Sequence, residues 1–410
     1  MTTVKWKKKK LFLFSGITIG ILFSILEITS RVIFYSKNRL FHNTIKIQGG
    51  PIQVSDDSLV FINQPFYLDY DRRFQFNEAG MKSEPGDELI QAKSSADFWV
   101  LLTGASAMEG MGSNRNGNWL DITGVDDHPY NKTIAFYLQE MLQKSMPQKK
   151  VKVFNAAFST SRLCQSYWRY LQLYKKLQPD WVVSMDGVND PVVLKPRETT
   201  PEVIKNEWQQ NPQFKYPLKL IIQLTTHSAF INYMKQIFFH VKADGRLANA
   251  AAKNYPLRKQ WAATSAGPIT FADFNDSIGR AVDNFTMWLF KYDSVLNSHH
   301  QKHLLLLQLN MFLRDTSNLS ETEQAVNHYY RQEFQDKSKH TFLREIYNRF
   351  SHIDSLHRNI ITMESVHHWP GFVFVDYCHF SDEATKRIAA EIFMYINSDG
   401  HAPIFSNKQE

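Results

Sequence analysis

From residue 97 onward, short apolar runs alternate with amphipathic segments of helical length, and this alternation constrains the fold more than any other feature. Parallel strands need crossover connections, and helices in those connections cover both faces of the sheet. The sequence therefore predicts an α/β fold of three layers, α/β/α, around a central parallel sheet. The predicted strands are Phe98–Thr103, Val151–Asn155, Trp181–Met185, His303–Leu309 and Phe372–Val375, and the predicted helices are 132–145, 163–178, 278–299, 320–337, 340–360 and 382–397.

The N-terminus has the composition of a membrane anchor. Residues 1–10 contain five lysines, and residues 11–34 form one long, mostly apolar segment. Since about 20 apolar residues suffice for a helix to cross a bilayer core, we predict a cytoplasmic basic tail over 1–10 and a transmembrane signal-anchor helix over 11–34. The lysines that precede the segment place the rest of the chain in the periplasm or outside the cell, or in the ER lumen of a eukaryote. A cleaved signal peptide and a peripheral amphipathic helix are the alternatives.

The net charge of +7 does not indicate a nucleic-acid-binding surface. Residues 1–35 carry five of these seven positive charges, so the remaining chain is close to neutral. A basic face on a folded domain is what nucleic-acid recognition requires. We therefore predict no nucleic-acid partner.

The rest of the chain divides by composition into an extension and one large domain. Residues 35–96 are mixed and polar and predict a stalk with a few short strands. Residues 97–400 are predicted to form one large domain, interrupted at about 191–274 by an aromatic-rich insertion or lid. This insertion has two possible roles, which the sequence leaves open: it could add packing over the sheet, or it could take part in substrate binding.

Side chains suited to nucleophilic catalysis follow three of the predicted strands. Ligands of parallel α/β proteins bind at the carboxyl ends of the strands. Ser106 follows the first strand, Asn189 follows the third, and Asp376 and His379 follow the last. A serine hydroxyl becomes a good nucleophile when a histidine accepts its proton, and a carboxylate on the other ring nitrogen fixes the tautomer of that histidine. The spacing of three residues lets Asp376 and His379 meet within one turn.

These motifs, in this order, resemble the SGNH (GDSL-type) hydrolase family over roughly residues 97–397. The resemblance implies a three-layer fold and acyl-enzyme chemistry. It also implies supporting positions around the site, of which Asp190 is expected to hold its loop by hydrogen bonds to the backbone. The matching motifs are Gly104-x-Ser106-x-x-x-Gly110, Gly187-x-Asn189-Asp190 and Asp376-x-x-His379.

The resemblance also implies a role for each site residue. Ser106 would be the nucleophile and would donate its backbone N–H to the oxyanion, with His379 as general base and Asp376 as its orienting partner. The Asn189 side chain would donate a second N–H. The family's third donor is a glycine N–H, and this sequence has Ala157 at the aligned position. The chain departs from the Gly-Asp-Ser motif in a second place, because alanine stands before the serine.

The sequence contains two cysteines and no convincing metal motif. Cys164 and Cys378 follow strands that should end at the same rim, so a disulfide and a pair of buried free thiols are both open. His367 and His368 are adjacent, but no third ligand has suitable spacing. We therefore predict no metal and no cofactor.

Taken together, the sequence predicts a membrane-anchored serine esterase of the SGNH type. It would cleave or transfer acyl groups on envelope polysaccharide or glycolipid, and polysaccharide-modification proteins are candidate partners. An acyltransferase with the same triad is one alternative. A catalytically silent glycan-binding or assembly protein of the same fold is another.

Overall fold

The elements of the fold are seen in a computed structural model that describes residues 15, 17–29, 53–56, 59–63, 65, 74–87, 89–112, 126–127, 129–190, 271–308, 310–324, 327, 344–345, 347–349, 359–401 and 404–405. Its strands are β1 (Gln53–Asp56), β2 (Val60–Asn63), β3 (Gln75–Phe76), β4 (Lys82–Ser83), β5 (Asp97–Gly104), β6 (Met111–Gly112), β7 (Asp126–Asp127), β8 (Lys150–Asn155), β9 (Trp181–Asp186), β10 (Lys302–Leu307) and β11 (Ile360–Thr362). Its helices from residue 106 onward are α1 (Ser106–Glu109), α2 (Ile134–Ser145), α3 (Leu163–Leu177), α4 (Phe271–Ser298) and α5 (Asp382–Asn397).

Seven strands form the central sheet, in the order β11-β10-β9-β5-β8-β4-β3. The five strands from β11 to β8 run parallel, and β4 and β3 add an antiparallel edge. The register pairs Leu102 of β5 with Asn155 of β8, and Gly104 of β5 with Met185 of β9. The carboxyl ends of β5, β8 and β9 therefore lie side by side at one edge of the sheet.

Both faces of the sheet are buried. All six residues of β9 are buried, as expected for a parallel strand between two helical layers. In β5, Val100 and Leu102 pack in one apolar cluster with α2 and α5, whereas Trp99 and Leu101 pack in a second cluster with α3 and α4. The predicted α/β fold with three layers and a mainly parallel sheet is thus confirmed.

Four of the five predicted strands match observed ones, and the fifth is wrong. Phe372–Val375 forms no strand and makes only one isolated bridge, between Phe374 and Phe380. The chain turns back at this point because the side chain of Asp376 accepts hydrogen bonds from the backbone two and three residues on. The fifth parallel strand is β11 instead, next to β10.

The predicted helices agree with the structure wherever the structure describes them, apart from their ends. Helices α2, α3 and α5 match 132–145, 163–178 and 382–397, and α4 begins before residue 278, at Phe271. The segments 320–337 and 340–360 are described only in part, with helical residues at 321–324, 327, 344–345 and 347–349. Residue 360 belongs to β11.

Part of the predicted stalk over 35–96 belongs to the sheet. Strands β3 and β4 pair with each other and with β8, and Phe74 and Phe76 are buried in the core. Strands β1 and β2 form a separate antiparallel hairpin. The folded unit therefore begins before residue 97.

The predicted anchor and the predicted insertion are described only in part. Residues 15 and 17–29 are helical, inside the segment 11–34. Among the described residues, no helix is long and apolar enough to span a membrane. Of the insertion at about 191–274, residues 191–270 lie outside the described residues.

Candidate active site

A tight turn at the end of β5 presents Ser106. Gly104 has φ 137°, and a Cβ at this residue would lie 2.5 Å from the carbonyl oxygen of Met185, so only glycine fits this close approach of β5 to β9. Helix α1 then begins at Ser106, whose N–H has no partner within the helix because it lies in the first turn. Gly110 ends α1 with φ 96° and donates its N–H to the carbonyl of Ser106.

A second turn, before α5, presents Asp376 and His379. The Oδ1 atom of Asp376 accepts the backbone N–H of Cys378 at 2.8 Å and that of His379 at 2.7 Å. The backbone N–H of Val375 donates to the carbonyl of His379 at 2.9 Å and closes the turn. Ser381 then caps α5 by accepting the backbone N–H of Ala384, as expected for a serine at a helix start.

Two contacts to the segment after β10 hold this turn at the edge of the sheet. Gln308 donates its Nε2–H to the carbonyl of Cys378 at 2.8 Å. Met311 donates its backbone N–H to the carbonyl of Tyr377, also at 2.8 Å. The turn that carries Asp376 and His379 is therefore attached to the sheet by hydrogen bonds on both of its central residues.

A fully buried ion pair supports the segment that leads into the turn. Arg314 and Glu323 pair with both side chains inaccessible to solvent. Glu323 Oε1 also accepts the backbone N–H groups of Val373 at 3.2 Å and Phe374 at 3.0 Å, and Arg314 donates to the carbonyl of Trp369. Buried charges are stable only when paired and hydrogen-bonded, so this pair and its backbone partners lock residues 369–374.

The two turns bring Ser106, His379 and Asp376 together as a continuous chain of hydrogen bonds. His379 Nε2 lies 2.7 Å from Ser106 Oγ, and His379 Nδ1 lies 2.7 Å from Asp376 Oδ2. Ser106 and His379 retain 8% and 9% of their surface, whereas Asp376 is buried at 2%. Ser106 and His379 therefore retain a small exposed surface, while Asp376 is shielded from solvent.

The electrostatics of the pair favour a charged histidine next to a charged carboxylate. Burial lowers the pKa of His379, but Asp376 and Cys378 together more than offset this through charge and hydrogen bonds, so the pKa of His379 lies well above its ordinary value. Burial raises the pKa of Asp376, yet the charge and hydrogen bonds of His379 bring it below its ordinary value. The site thus stabilises the imidazolium that forms when a histidine accepts a proton.

Of the predicted oxyanion donors, Ala157 is corrected by the structure. Its N–H points to the Asn155 side chain, with the nitrogen 3.3 Å from Oδ1, and the residue is fully buried. The loop continues past Ala157 before it reaches the surface at Thr160. An N–H that is buried and already paired cannot serve as an oxyanion donor.

Thr160 is a candidate donor that the sequence reasoning missed. It is exposed and has φ 64°, a left-handed conformation that β-branched residues rarely adopt. Its loop docks beside the nucleophile, since Ser161 Oγ donates to the carbonyl of Gly104 at 2.8 Å. Asn189 Nδ2 donates to the carbonyl of Ser161 at 3.0 Å, and its amide has a second N–H. The Thr160 loop therefore lies between the turn of Ser106 and Asn189.

Polar contacts that the sequence motifs do not reveal hold the short helix α1. Glu109 is buried and accepts Nδ2–H of Asn63 at 2.7 Å and the hydroxyl of Ser159. Asn155 donates to the carbonyls of Met108 and Glu109. The hairpin of β1 and β2 is in this way tied to the helix that carries Ser106.

The loop after β9 contains Gly187 and Asp190, which the sequence predicts as supporting residues. Gly187 follows the strand at φ 127°, and the carboxylate of Asp190 accepts the backbone N–H of Leu163 at the start of α3. Asp186 is buried and accepts hydroxyl protons from Ser166 at 2.8 Å and Ser184 at 2.5 Å. Burial raises the pKa of Asp186 to about 6.

The two cysteines are buried free thiols, so the alternative of a disulfide between Cys164 and Cys378 is not observed. Burial raises the pKa of both thiols. His367 is half-buried, and burial lowers its pKa to about 4. Among the described residues, the group with metal-ligand spacing is Asp376, Cys378 and His379, and it includes neither His367 nor His368.

No protein-family model and no curated protein matches this chain. Solved structures that resemble it include a catalytic variant of Axe2, an acetylxylan esterase from Geobacillus stearothermophilus, at 12% identity over 77% of this chain and 100% of that one, with a TM-score of 0.32. A lipase/acylhydrolase from Enterococcus faecalis matches at 13% identity over 76% of this chain and 100% of that one, also with a TM-score of 0.32. The acetyl xylan esterase AlAXEase matches at 13% identity over 73% of this chain and 99% of that one, with a TM-score of 0.33. Similarity at this level supports no conclusion about the activity of this chain.

The raised pKa of Asp186 predicts a pH-dependent loss of stability that Asp186→Asn removes. The folded protein binds more protons than the unfolded chain between the ordinary pKa of an aspartate, 3.8, and the folded value of about 6. Its free energy of unfolding should therefore fall as pH rises through this window, by on the order of 2 kcal/mol relative to Asp186→Asn. Urea unfolding of both proteins between these pH values and neutrality measures the difference.

The charge of Asp186 acts on three neighbouring groups, Asp190, Cys164 and Tyr292. Burial, and then the charge of Asp186, raise the pKa of Asp190 to about 7. Asp190 therefore acts over the same pH window and on to about pH 7, but it is present in both proteins, so the difference between them is assigned to Asp186. A difference between the two proteins that stays constant across that window would contradict the assignment.

Proposed function

We propose that this chain is a serine esterase of the SGNH type that acts through an acyl-enzyme. The observation that carries the proposal is the hydrogen-bond chain from Ser106 Oγ through His379 to Asp376, with both distances at 2.7 Å. Its members come from two separately supported turns, one with Ser106 and one with Asp376 and His379, and this is an arrangement that nucleophilic catalysis requires.

In the first half of the reaction, Ser106 is acylated. His379 Nε2 accepts the hydroxyl proton as Oγ attacks the ester carbonyl, and Asp376 stabilises the imidazolium through Nδ1–H. The resulting tetrahedral intermediate collapses when His379 returns the proton to the leaving alcohol. The alcohol then departs, and the acyl group remains on Oγ.

The oxyanion would be bound by three N–H groups at the edge of the sheet. The backbone N–H of Ser106 is available at the start of α1. Asn189 contributes its second amide N–H, and Thr160 contributes a backbone N–H in place of Ala157. Their loops are tied together through Ser161, so the donors are in place before charge develops on the oxygen.

In the second half, the group that attacks the acyl-enzyme decides the outcome. Water activated by His379 gives hydrolysis, whereas an acceptor hydroxyl gives acyl transfer. The low exposure of Ser106 and His379 favours transfer as a second candidate, because a site that admits little water lets a bound alcohol compete. The complete hydrogen-bond chain speaks against a silent glycan-binding protein.

The N-terminal helix supports a membrane-bound form of this enzyme. The described part of the helix exposes large apolar side chains to the surroundings, a surface that lipid would cover. An anchor there would keep the catalytic domain near envelope polysaccharide, glycolipid or acyl lipid, which we propose as the substrate class. The exposed residues are Ile17, Ile19, Ile21, Leu22, Phe23, Ile25, Leu26 and Ile28.

Labelling with a fluorophosphonate probe tests the proposed nucleophile. The full-length protein in detergent should label once and should hydrolyse p-nitrophenyl acetate. Ser106→Ala should lose the label, and both Ser106→Ala and His379→Ala should lower kcat by at least about 10²–10⁴-fold, because the attacking oxygen or its base is gone. Asn189→Ala should keep the label and lower kcat by about 10²-fold, since one oxyanion donor is lost.

Ser365→Ala is the matched control for Ser106→Ala. Ser365 is as buried as Ser106, since each retains 8% of its surface. Among the described residues, the hydroxyl of Ser365 has no hydrogen-bond partner. This variant should label and turn over as the wild type does. A folded wild type that neither labels nor hydrolyses any ester, or a label that survives Ser106→Ala, would overturn the proposed function.

Extraction of membranes with alkaline carbonate tests the anchor. The full-length chain should remain in the membrane pellet with its N-terminus intact. The double variant Ile21→Lys, Leu22→Lys should be released, because each lysine near the centre of a membrane helix costs about 2.5–3.5 kcal/mol. The control Ile21→Ala, Leu22→Ala should stay bound.

Two results would contradict the anchor. Release of the wild type by carbonate would indicate a peripheral helix, and a mature chain that lacks residues 1–34 would indicate a cleaved signal peptide. Neither result would affect the assignment of Ser106.

A further inference from the structure

The turn that carries His379 gathers three side chains of the kind that bind zinc. Asp376, Cys378 and His379 offer a carboxylate oxygen, a sulfur and a ring nitrogen that all lie within 4.8 Å of one another. Cys378 Sγ lies 3.6 Å from His379 Nδ1, and Asp376 Oδ2 lies 2.7 Å from the same nitrogen. The proposed reaction uses the carboxylate and the histidine but leaves the thiol without a role.

The separation of sulfur and nitrogen fits a tetrahedral zinc ion with little movement. With Zn–S near 2.3 Å and Zn–N near 2.0–2.1 Å, two tetrahedral ligands stand about 3.6 Å apart. Nitrogen and oxygen ligands stand about 3.4 Å apart at the same angle, so the pair of Asp376 and His379 would open by somewhat less than 1 Å.

The turn also has the supporting contacts that a metal site needs. The second oxygen of Asp376, Oδ2, is directed towards His379 because Oδ1 is held by two backbone N–H groups. Gln308 holds the carbonyl of Cys378, and Met311 holds that of Tyr377. Contacts of this kind around ligands fix their orientation and raise metal affinity.

We propose that Asp376, Cys378 and His379 form a zinc-binding site that switches the enzyme off. The thiol of Cys378 loses its proton to solvent and binds as thiolate, and Asp376 binds as carboxylate. These two negative charges balance Zn²⁺. His379 binds through Nδ1 as a neutral ring with its proton on Nε2, so the thiol proton is released to solvent, together with the second ring proton wherever His379 is charged.

This change of tautomer explains the loss of activity. In the metal-free site, Nε2 of His379 accepts the proton of Ser106, whereas in the zinc-bound site Nε2 carries a proton of its own. The base is then missing, and Asp376 no longer orients the ring. The inhibition rests on the proposed function, whereas the binding of zinc does not.

Burial of the three ligands determines how fast zinc can enter the site and inhibit the enzyme. Asp376 and Cys378 are each 2% exposed, so the ion enters only when the turn opens locally. Inhibition should therefore develop with time of incubation and should be slow to reverse. Rapid inhibition by zinc would instead indicate a surface site.

Cobalt binding to the full-length protein tests the site without any assay of activity. Co²⁺ is the probe, because thiolate ligation gives a near-ultraviolet charge-transfer band that zinc then removes by displacement. The wild type and Ser106→Ala should both bind one ion with this band. Cys378→Ala should lose the band, and the matched control Cys164→Ala, which removes the other buried thiol, should keep it. Absence of the band in the wild type, or its survival in Cys378→Ala, would overturn the site.

The activity of the same proteins tests the inhibition. Each variant is compared with its own metal-free rate of ester hydrolysis. Incubation with Zn²⁺ should lower the rate of the wild type and of Cys164→Ala by at least about 10²-fold, the lower end of what loss of a general base costs, and a chelator should restore it. The rate of Cys378→Ala should not respond. A cobalt band in a protein that zinc does not inhibit would overturn the switch and keep the binding site. If no variant hydrolyses esters, the proposed function fails and the cobalt result still decides the site.

Discussion

Burial of both faces of the central sheet is the constraint on which the rest of the structure depends. With helices on each side, the parallel strands can carry polar groups for chemistry only at their ends. The register aligns the ends of β5, β8 and β9 at one edge. Ser106 and His379, which lie 273 residues apart in the chain, meet at this edge. The position of the candidate site is therefore a consequence of how the sheet is covered.

The edge of the sheet brings the turns together, but polar contacts set the positions of the reacting atoms. Asp376 accepts three hydrogen bonds within its own turn, and Gln308 ties that turn to the segment after β10. The buried pair of Arg314 and Glu323 holds the preceding segment through its backbone. His379 is in this way oriented before any substrate binds. The same rigidity places Cys378 beside the imidazole, which is why one turn can serve both the proposed catalysis and the proposed zinc switch.

The features that could be predicted from sequence are those with a periodic or short-range signal. Apolar runs predict four of the parallel strands, and the spacing of Asp376 and His379 predicts that they meet. Strand β11 has only three residues, too few for a periodic signal, while Phe372–Val375 has a strand-like composition that hydrogen bonds to Asp376 override. Donation of the Ala157 N–H to Asn155, and the positive φ of Thr160, depend on the path of one loop and leave no pattern in the residues. The buried contacts of Glu109 depend on partners as distant as Asn63, so they also could not be predicted.

The central claim is that Ser106 carries the acyl group during the reaction. Its most direct test is rapid acid quenching of the full-length protein during turnover of p-nitrophenyl acetate, followed by mass spectrometry of its peptides. The account predicts one acetyl group, on Ser106, that disappears when the substrate is exhausted. Steady hydrolysis with no acetylated peptide, or with the acetyl group on another residue, would contradict it.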